Sequence, residues 1–298
     1  MLESMYKYST ITLFVCLNSL LISNIAQAQS WRSDWNYSLF PPYPNANQHA
    51  QPYIPHAEFQ PFYPMHPGHN SNPLQKPAKQ SLPVSKTSRR KLNFVSQIKP
   101  IIEQENKRLI NQRYRLINIL ILLNRGYQLR AQDEEWLVSM SEKYKIKGNP
   151  LQDVQSREAL LDKVDIIPVS LALAQAANES AWGQSRFSRE ANNLFGIWTY
   201  DRNKGLIPKH RDENKKHLVR KFDSMDESIQ YYMQTLNSHP AYKKMRRIRK
   251  TLRIQQQPIT GEALANGLEK YSEKGNIYVQ LIKKLIEQNE WHELDRNV

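Results

Sequence analysis

Apolar residues are spaced differently in two parts of the chain. From Arg89 onward they recur every three or four positions, which is the spacing of amphipathic helices. The first such stretch is long, and we expect it to end at Gly126, because glycine commonly follows the last turn of a helix. Before Arg89 this periodicity is missing, and eleven of the 17 prolines lie between Pro41 and Pro83. The N-terminal part therefore favours extended chain over helix.

Further helices and a hairpin are predicted after Gly126. The expected helices run from about Asp133 to Tyr144, from Pro168 to about Ser180, from the Ser224–Glu227 capping box onward, after Thr260 and after Gly275. Between Leu194 and Phe222, β-forming residues flank a polar stretch that contains Gly and Lys, which predicts a small hairpin. The predicted fold class is therefore α+β, predominantly α, with a long amphipathic helix at its start.

The first 28 residues have the organisation of a secretory signal peptide. Lys7 supplies a basic start, residues 11–25 are mainly apolar, and Ala26-Gln27-Ala28 fits the small-x-small rule of signal peptidase. The apolar stretch contains polar residues and is short for a membrane anchor. We therefore expect cleavage after Ala28 and export to the periplasm or cell envelope. Cys16 is the single cysteine and lies in this segment, so we expect no disulfide framework.

These patterns divide the chain into four segments. We assign residues 1–28 to a signal peptide, 29–88 to a Pro-rich disordered arm, 89–150 to a basic amphipathic helical segment and 151–298 to a folded domain. Aromatic residues between the prolines of the arm are able to stack on sugars or on a partner protein, but a spacer without a defined ligand is the simpler interpretation. The histidines of the arm lack the spacing of a metal site, and we predict no metal and no cofactor.

Glu179 is well placed for acid chemistry. It lies near the C-terminal end of the helix predicted from Pro168, where unpaired carbonyls disfavour negative charge. Ala176, Ala177 and Trp182 add apolar surroundings, which also favour the protonated acid. A protonated carboxyl group can donate to a glycosidic oxygen. For a single Glu at a helix end a solvated surface residue is the commoner explanation, so the neighbouring residues decide.

Four segments, in order along the chain, resemble the signature of the glucosaminidase family of peptidoglycan hydrolases. The family pattern is close to AQA-x-x-ES-x-WG, NLFGI, F/Y-D-S-x-x-E-S and Y-A-T-D-x-x-Y. The matching segments are residues 173–183 (LAQAANESAWG), 192–196 (NNLFG), 222–228 (FDSMDES) and Tyr271-Ser272 with Tyr278. The resemblance covers about residues 90 to 290 and is greatest to the bacterial Bax-like branch, on Arg186-Phe187, residues 205–208 (GLIP), 239–242 (HPAY) and 271–275 (YSEKG).

The resemblance implies a lysozyme-like domain at residues 151–298 with endo-beta-N-acetylglucosaminidase activity. It places the catalytic acid at Glu179 and a catalytic or transition-state-stabilising tyrosine at Tyr271. The chain departs from the family pattern after Tyr271, because Glu273 and Lys274 replace Thr-Asp and one extra residue precedes Tyr278. The resemblance therefore leaves the local geometry of this segment open.

The implied substrate is the glycan strand of peptidoglycan, cut after N-acetylglucosamine. Glu179 would protonate the leaving oxygen, while a base-activated water or the sugar's own 2-acetamido group serves the opposite face. Asp201, Asp212 and Glu213 are candidates for a second carboxylate, and the sequence does not choose among them. One well-defined acid together with Tyr271 favours the substrate-assisted route.

Five residues are candidates for substrate binding. They are Asn193, Phe195, Trp198, Tyr200 and Tyr278. Trp198 and Tyr200 are suited to stacking on sugar rings, and Asn193 and Phe195 to shaping a cleft. A position in the hydrophobic core explains Phe195 equally well, because its side chain is apolar.

Positive charge predominates in the chain. Lys and Arg number 42 against 28 Asp and Glu, a net charge of +14, which favours anionic partners. The charge is concentrated between Lys243 and Arg253, where seven of eleven residues are cations. Export removes nucleic acid as a partner, so we expect peptidoglycan carboxylates or an anionic membrane surface instead. A solvated helix face, with Met245 and Ile248 inward, is the simpler explanation of this run.

Two other functions remain open at this point. A non-catalytic peptidoglycan-binding or scaffolding protein would also use basic helices and an aromatic arm, although the ES-x-WG signature argues against it. A lytic transglycosylase would share a lysozyme-like Glu, but no Gly-Leu-Met-Gln follows Glu179. The three functions differ in their products: reducing N-acetylglucosamine ends, no cleavage, or anhydro-muramic ends.

Overall fold

The computed structural model describes residues 85–208 and 217–296. The predicted signal peptide and residues 29–84 of the predicted arm lie outside this part, as do Asp212 and Glu213. The helices are α1 (Lys86–Asn124), α2 (Ala131–Lys143), α3 (Val154–Lys163), α4 (Val169–Ser180), α5 (Arg186–Ala191), α6 (Met225–Ser238), α7 (Lys243–Ile254), α8 (Gly261–Ala265) and α9 (Asn276–Gln288). The strands are β1 (Trp198–Thr199), β2 (Gly205–Leu206) and β3 (Leu218–Arg220), and short 3-10 turns lie at Arg202–Lys204, Pro240–Tyr242 and Trp291–Asp295.

Helix α1 confirms the long amphipathic helix predicted from the sequence. The Ser85 hydroxyl caps its start by accepting a hydrogen bond from the Ser88 amide at 3.1 Å. Gly126 follows its end with a φ of +78°, a conformation that glycine adopts at little cost. Pro100 lies inside the helix without ending it. The buried stripe consists mainly of Phe94, Ile98, Ile102, Leu109, Leu116, Ile119 and Leu120.

The buried apolar side chains form two clusters, and α1 contributes to both. The larger cluster joins the first half of α1 to α4 and to the inner faces of α6, α8 and α9. The smaller cluster joins the second half of α1 to α2 and α3. The segment predicted at residues 89–150 therefore shares its cores with residues that follow position 150. Within residues 85–208 and 217–296, no helix is long and apolar enough to cross a membrane.

Helix α4 passes through the larger cluster and carries Glu179 near its end. Its Ala and Leu side chains let α1, α8 and α9 pack closely around it. The Asp295 carboxylate accepts hydrogen bonds from the Ser170 amide at 3.1 Å and from the Gly261 amide at 2.8 Å. One buried carboxylate thus caps the first turns of both α4 and α8, where free amides attract negative charge. A β-carbon at Gly261 would lie 2.0 Å from the Ser170 hydroxyl oxygen, so only glycine fits.

The small sheet has three antiparallel strands in the order β1-β3-β2. Trp198 pairs with Val219, and this pairing of β1 with β3 corresponds to the predicted hairpin. The third strand, in which Gly205 pairs with Arg220, was not predicted from the sequence. A β-carbon at Gly205 would lie 2.4 Å from the Leu218 β-carbon, so the missing side chain permits this close approach. The predicted fold class, mainly helical with a small antiparallel sheet, is confirmed.

The run from Lys243 to Arg253 forms a helix face that is partly solvated, as the sequence favoured, with Met245 and Ile248 packed inward, but five of its seven cations also have partners within the protein. Arg246 and Arg249 are buried on the inner face of α7. Arg246 donates to the carbonyls of Leu236 and His239, at 2.8 and 2.9 Å. Three further cations form ion pairs: Lys244 with Glu269, Lys250 with Asp162 and Arg253 with Asp165. The charge that this run presents to an external partner is therefore much smaller than its composition suggests.

Candidate active site

Glu179 lies one residue before the end of α4, at a sharp turn of the chain. Residues 181–183 all have positive φ angles, of +51°, +59° and +75°. The Ser180 hydroxyl holds this turn, because it donates to the Ala176 carbonyl at 2.6 Å and accepts from the Gly183 amide at 2.8 Å. The ES-x-WG segment therefore stops the helix directly after Glu179. The carboxylate stands at the helix end and is half-buried.

Neutral groups surround the Glu179 carboxylate. Its Oε1 accepts a hydrogen bond from the Asn178 side-chain amide at 3.0 Å. Gly196 presents its backbone to Oε2, since a β-carbon there would lie 3.6 Å from that oxygen. Gly196 also has a φ of +66°, which favours glycine. The ES-x-WG and NLFG segments, which are separate in sequence, thus meet at this carboxylate.

Three tyrosines, Tyr232, Tyr271 and Tyr278, form a tyrosine cluster around Glu179. Burial and, with it, the negative charge of Glu179 raise the pKa of all three phenols well above the usual value, so that they remain hydrogen-bond donors at neutral pH. The rings of Tyr271 and Tyr278 stack with their centroids 5.3 Å apart. The Tyr271 hydroxyl donates to the Phe195 carbonyl at 3.1 Å. The Tyr278 hydroxyl lies near the Glu179 carboxylate, whose negative charge is, after burial, the largest cause of the raised pKa of this phenol.

Gln175 joins two of these tyrosines and was not predicted as a site residue. The Tyr232 hydroxyl donates to Gln175 Oε1 at 2.6 Å, and Gln175 Nε2 donates to the Tyr278 hydroxyl at 2.9 Å. The signal was present in the sequence, because Gln175 is a long polar residue in an apolar helix, four positions before Glu179. A buried amide requires hydrogen-bond partners, and its partners here belong to the site.

The five predicted substrate-binding residues fall into two groups. Trp198 and Tyr200 are exposed, with 59% and 79% of their surface accessible, so they can contact a ligand. Asn193, Phe195 and Tyr278 are only 2% accessible, so they support the site from beneath. The Asn193 side chain donates to the Ile197 and Arg220 carbonyls, and Phe195 stacks on Tyr232 with centroids 3.8 Å apart. For these three residues the structure shows a supporting position, and direct contact with a ligand stays a prediction.

The candidates for a second carboxylate are not brought together with Glu179 in the described part of the chain. Asp201 begins the 3-10 turn at Arg202–Lys204, and its Oδ1 accepts from the Asn203 amide at 2.9 Å. Asp212 and Glu213 lie outside the described residues. Glu227 accepts from the Asp223 amide at 2.8 Å, so it stabilises the start of α6 as the capping box predicts.

The titratable groups described at this site are one carboxyl group and the phenols around it. Within residues 85–208 and 217–296, no three His, Cys, Asp or Glu side chains are grouped to hold a metal ion. A half-buried carboxyl group beside phenols and an amide is suited to giving up a proton and to being stabilised afterwards by the donors around it.

A cleft of about 660 Å³ lies beside this site, and Glu179 is not part of its wall. The cleft is lined by the first turns of α1 and by residues 182–194, including Trp182. Lys86, Arg89, Arg90 and Arg189 are among its lining residues, together with several side-chain amides. Its wall is therefore cationic and suited to anionic or amide-containing groups.

The chain is similar to a known protein family and to a protein of Escherichia coli. Residues 154–291 match the family described as mannosyl-glycoprotein endo-beta-N-acetylglucosaminidase, also called Glucosaminidase. The matched range includes Glu179, Gly196 and Tyr271. Over 204 residues the chain is 32% identical to Protein bax of Escherichia coli (strain K12). The aligned region covers 67% of this chain and 70% of that protein.

Two solved structures are also similar to this chain. The C-terminally truncated glycoside hydrolase domain of FlgJ from Salmonella typhimurium is 25% identical, with a TM-score of 0.31 over 42% of this chain and 85% of that domain. The catalytic domain of the autolysin Auto from Listeria monocytogenes is 19% identical, with a TM-score of 0.35 over 57% of this chain and 90% of that domain.

Proposed function

The chain belongs to the mannosyl-glycoprotein endo-beta-N-acetylglucosaminidase family of glycoside hydrolases, and from this premise we propose that it cuts the glycan strand of peptidoglycan after N-acetylglucosamine. The observation that carries the proposal is the position of Glu179. Its carboxyl group stands at the end of α4, half-buried, beside Gly196 and the tyrosine cluster. In this proposal Glu179 is the general acid, and its proton goes to the leaving glycosidic oxygen.

The opposite face of the sugar needs a nucleophile. Asp201 is engaged at the start of its own turn, which makes it a poor general base. We favour a substrate-assisted route, in which the 2-acetamido oxygen attacks the anomeric carbon as the glycosidic bond breaks and water later opens the cyclic intermediate. Asp212 and Glu213 stay candidates for a base under the alternative route.

Tyr271 is the second residue of the proposed mechanism. Its hydroxyl donates to the Phe195 carbonyl, next to Gly196 and therefore next to Glu179. A rotation about the C–O bond would turn this donor toward charge that develops on the sugar. Donors aimed at developing charge stabilise the transition state more than the ground state.

The substrate is proposed to lie along exposed aromatic residues and cations. Trp198 and Tyr200 offer faces on which sugar rings can stack. The cationic cleft lined by Arg89 and Arg189 suits the carboxylates of peptidoglycan peptides. An anionic membrane surface is a secondary partner in this proposal, supported by the net charge of +14.

Mass spectrometry of digested peptidoglycan tests this function directly. We expect soluble fragments that end in reducing N-acetylglucosamine. Anhydro-muramic ends would identify a lytic transglycosylase instead. Binding to the polymer without any cleavage would identify a non-catalytic wall-binding protein. Either of these outcomes would contradict the proposal.

Export is part of the proposal and rests on the first 28 residues. We propose cleavage after Ala28 and a location in the periplasm or cell envelope. N-terminal sequencing of the protein isolated from an envelope fraction should start at Gln29. A chain that starts at Met1 and fractionates with cytosolic proteins would contradict export.

A further inference from the structure

We propose that Gln175 is a positioning residue for Glu179 and acts through the hydroxyl of Tyr278. This inference rests on the function proposed above, in which Glu179 is the catalytic acid. It gives a role to three polar side chains, Gln175, Tyr232 and Tyr278, that are at most 2% accessible and cannot contact a substrate directly. They lie on α4, α6 and α9, so three helices are joined behind one carboxylate.

The hydrogen bonds around Gln175 have a defined direction. A side-chain amide presents a carbonyl oxygen at one end and an NH2 group at the other. The Tyr232 hydroxyl donates to Gln175 Oε1 at 2.6 Å, so the NH2 group faces Tyr278 and donates to its hydroxyl at 2.9 Å. The Tyr278 oxygen is thus already an acceptor, and its own proton points away from Gln175. The proposed acceptor of this proton is the Glu179 carboxylate, which lies four positions after Gln175 on the same face of α4.

The ionised form of Glu179 selects this direction over the reverse one. With the amide reversed, Tyr278 would donate to Gln175 and would turn an oxygen lone pair toward the carboxylate. That arrangement leaves Glu179 without this donor after its proton has moved to the glycosidic oxygen. In the observed direction, Tyr278 donates to the carboxylate at the moment when charge appears on it. No proton passes along Gln175, and Tyr278 remains a phenol throughout.

The packing of the aromatic rings keeps these groups in place. Tyr232 stacks on Phe195 with an interplanar angle of 3°, and Tyr278 stacks on Tyr271 with an angle of 11°. Gln175 lies one helical turn before Glu179, so both side chains leave α4 on the same face. Because the core holds the Gln175 side chain, it has few alternative positions. We infer that this restriction fixes the direction in which the Glu179 carboxyl group points.

A double-mutant cycle tests the inference. We compare Gln175→Met, Tyr278→Phe and the double variant of the full chain, measuring release of reducing ends from purified peptidoglycan. Each single change should lower kcat by up to about 10²-fold, because a misplaced catalytic group costs this much, and should leave KM within about twofold. The double variant should be no slower than the slower single variant, because both changes remove the same donor from Glu179.

Asn106→Leu is the matched control. Asn106 is also a buried amide, with hydrogen bonds to the backbone of Ile167 at 2.7 and 3.1 Å, and its partners do not include the tyrosine cluster. Its replacement should lower the melting temperature without lowering kcat. If Gln175→Met fails to fold, Tyr232→Phe replaces it in the cycle, because it removes only the hydroxyl that orients the amide.

The outcomes separate this inference from the proposed function. Losses in kcat that multiply in the double variant would show independent packing effects and would overturn the role of Gln175. Unchanged kcat in both single variants, together with an inactive Glu179→Gln protein, would overturn the inference and leave the proposed function standing. A Glu179→Gln protein with normal activity, or a wild-type protein that releases no reducing ends, would overturn both.

Discussion

Two carboxylates, the buried Asp165 and the half-buried Glu179, are held by networks of different chemistry. Arg253 donates to both oxygens of Asp165, at 2.6 and 2.5 Å, and Arg113 and Arg249 lie 3.4 and 3.7 Å from it. Around Glu179, the Asn178 side-chain amide donates to the carboxylate, and the Gly196 backbone and the Tyr278 phenol lie nearby. The first carboxylate is surrounded by permanent charges and the second by neutral polar groups.

The difference shows how one fold separates support from chemistry. Burial alone would raise the pKa of Asp165, but the three guanidinium groups outweigh burial and lower it to about 2. Asp165 is therefore charged at every physiological pH, and its network joins α1 and α7 to the segment before α4. The described partners of Glu179 include no such group of guanidinium ions, so its position depends on a neutral amide donor and on packing.

Asp165→Asn should break the charged network and have the largest effect on stability. The change leaves Arg113, Arg249 and Arg253 close together without their common anion. Removing one partner of a buried ion pair typically costs about 3–5 kcal/mol of unfolding free energy. Urea unfolding of the variant measures this loss. Turnover per folded molecule should stay within about twofold of wild type.

Asp162→Asn is the control for that variant. Asp162 pairs with Lys250 at 3.0 Å, but both side chains are more than a third exposed. An exposed ion pair contributes at most about 1 kcal/mol, so this variant should unfold nearly like the wild type. Equal losses in the two variants would contradict the distinct role given to Asp165.

Low pH should lower the unfolding free energy by protonating Asp165, and this effect is expected to be the second largest. The folded pKa of Asp165 is about 2 and its ordinary value is 3.8, so the unfolded chain takes up this proton first as pH falls. The stabilisation, about 2.5 kcal/mol, is present above the ordinary value and is lost as pH falls through the folded value of about 2. The stability difference between wild type and Asp165→Asn should therefore narrow by about 2 kcal/mol between pH 6 and pH 2. A difference that is independent of pH would contradict the assignment.

Tyr271→Phe should have the smallest effect on stability and a clear effect on rate. It removes one hydrogen bond to the Phe195 carbonyl, worth about 1 kcal/mol, and keeps the ring stacked on Tyr278. Turnover should fall by about tenfold or more if the hydroxyl stabilises developing charge. Tyr114→Phe, on the exposed side of α1, is the matched control and should change neither quantity. An unchanged rate in Tyr271→Phe would exclude a chemical role for its hydroxyl.

Helices were largely predictable from the sequence because their signals are local. The 39-residue helix α1 follows from the spacing of its apolar residues and from Gly126, and α6 follows from its capping box. Strand β2 was not predictable, because two residues carry no periodicity and the pairing depends on the close approach of Gly205 to Leu218. The inward orientation of Arg249 was hidden for a similar reason, since its partners, the Ile166 carbonyl and the Asp165 carboxylate, are distant in sequence.

Those residues of the candidate site that lie in the segments resembling the family signature were predictable from the sequence. Glu179 and Tyr271 were predicted from the resemblance, and in the structure burial and, among other charges, that of Glu179 raise the pKa of Tyr271. The exposed Trp198 and the buried Asn193 were both predicted to bind substrate, because the sequence does not show which side of a loop faces solvent. The link from Gln175 to Tyr232 joins residues 57 positions apart, and only the folded chain reveals it.

Glu179→Gln tests the central claim most directly. The amide keeps the size of the side chain and its hydrogen-bonding capacity but has no acidic proton to give to the sugar oxygen. Turnover on purified peptidoglycan should fall by about 10² to 10⁴, the usual contribution of positioned proton transfer, while the melting temperature stays unchanged or rises slightly. A Glu179→Gln protein that is fully folded and digests peptidoglycan at the wild-type rate would contradict the account.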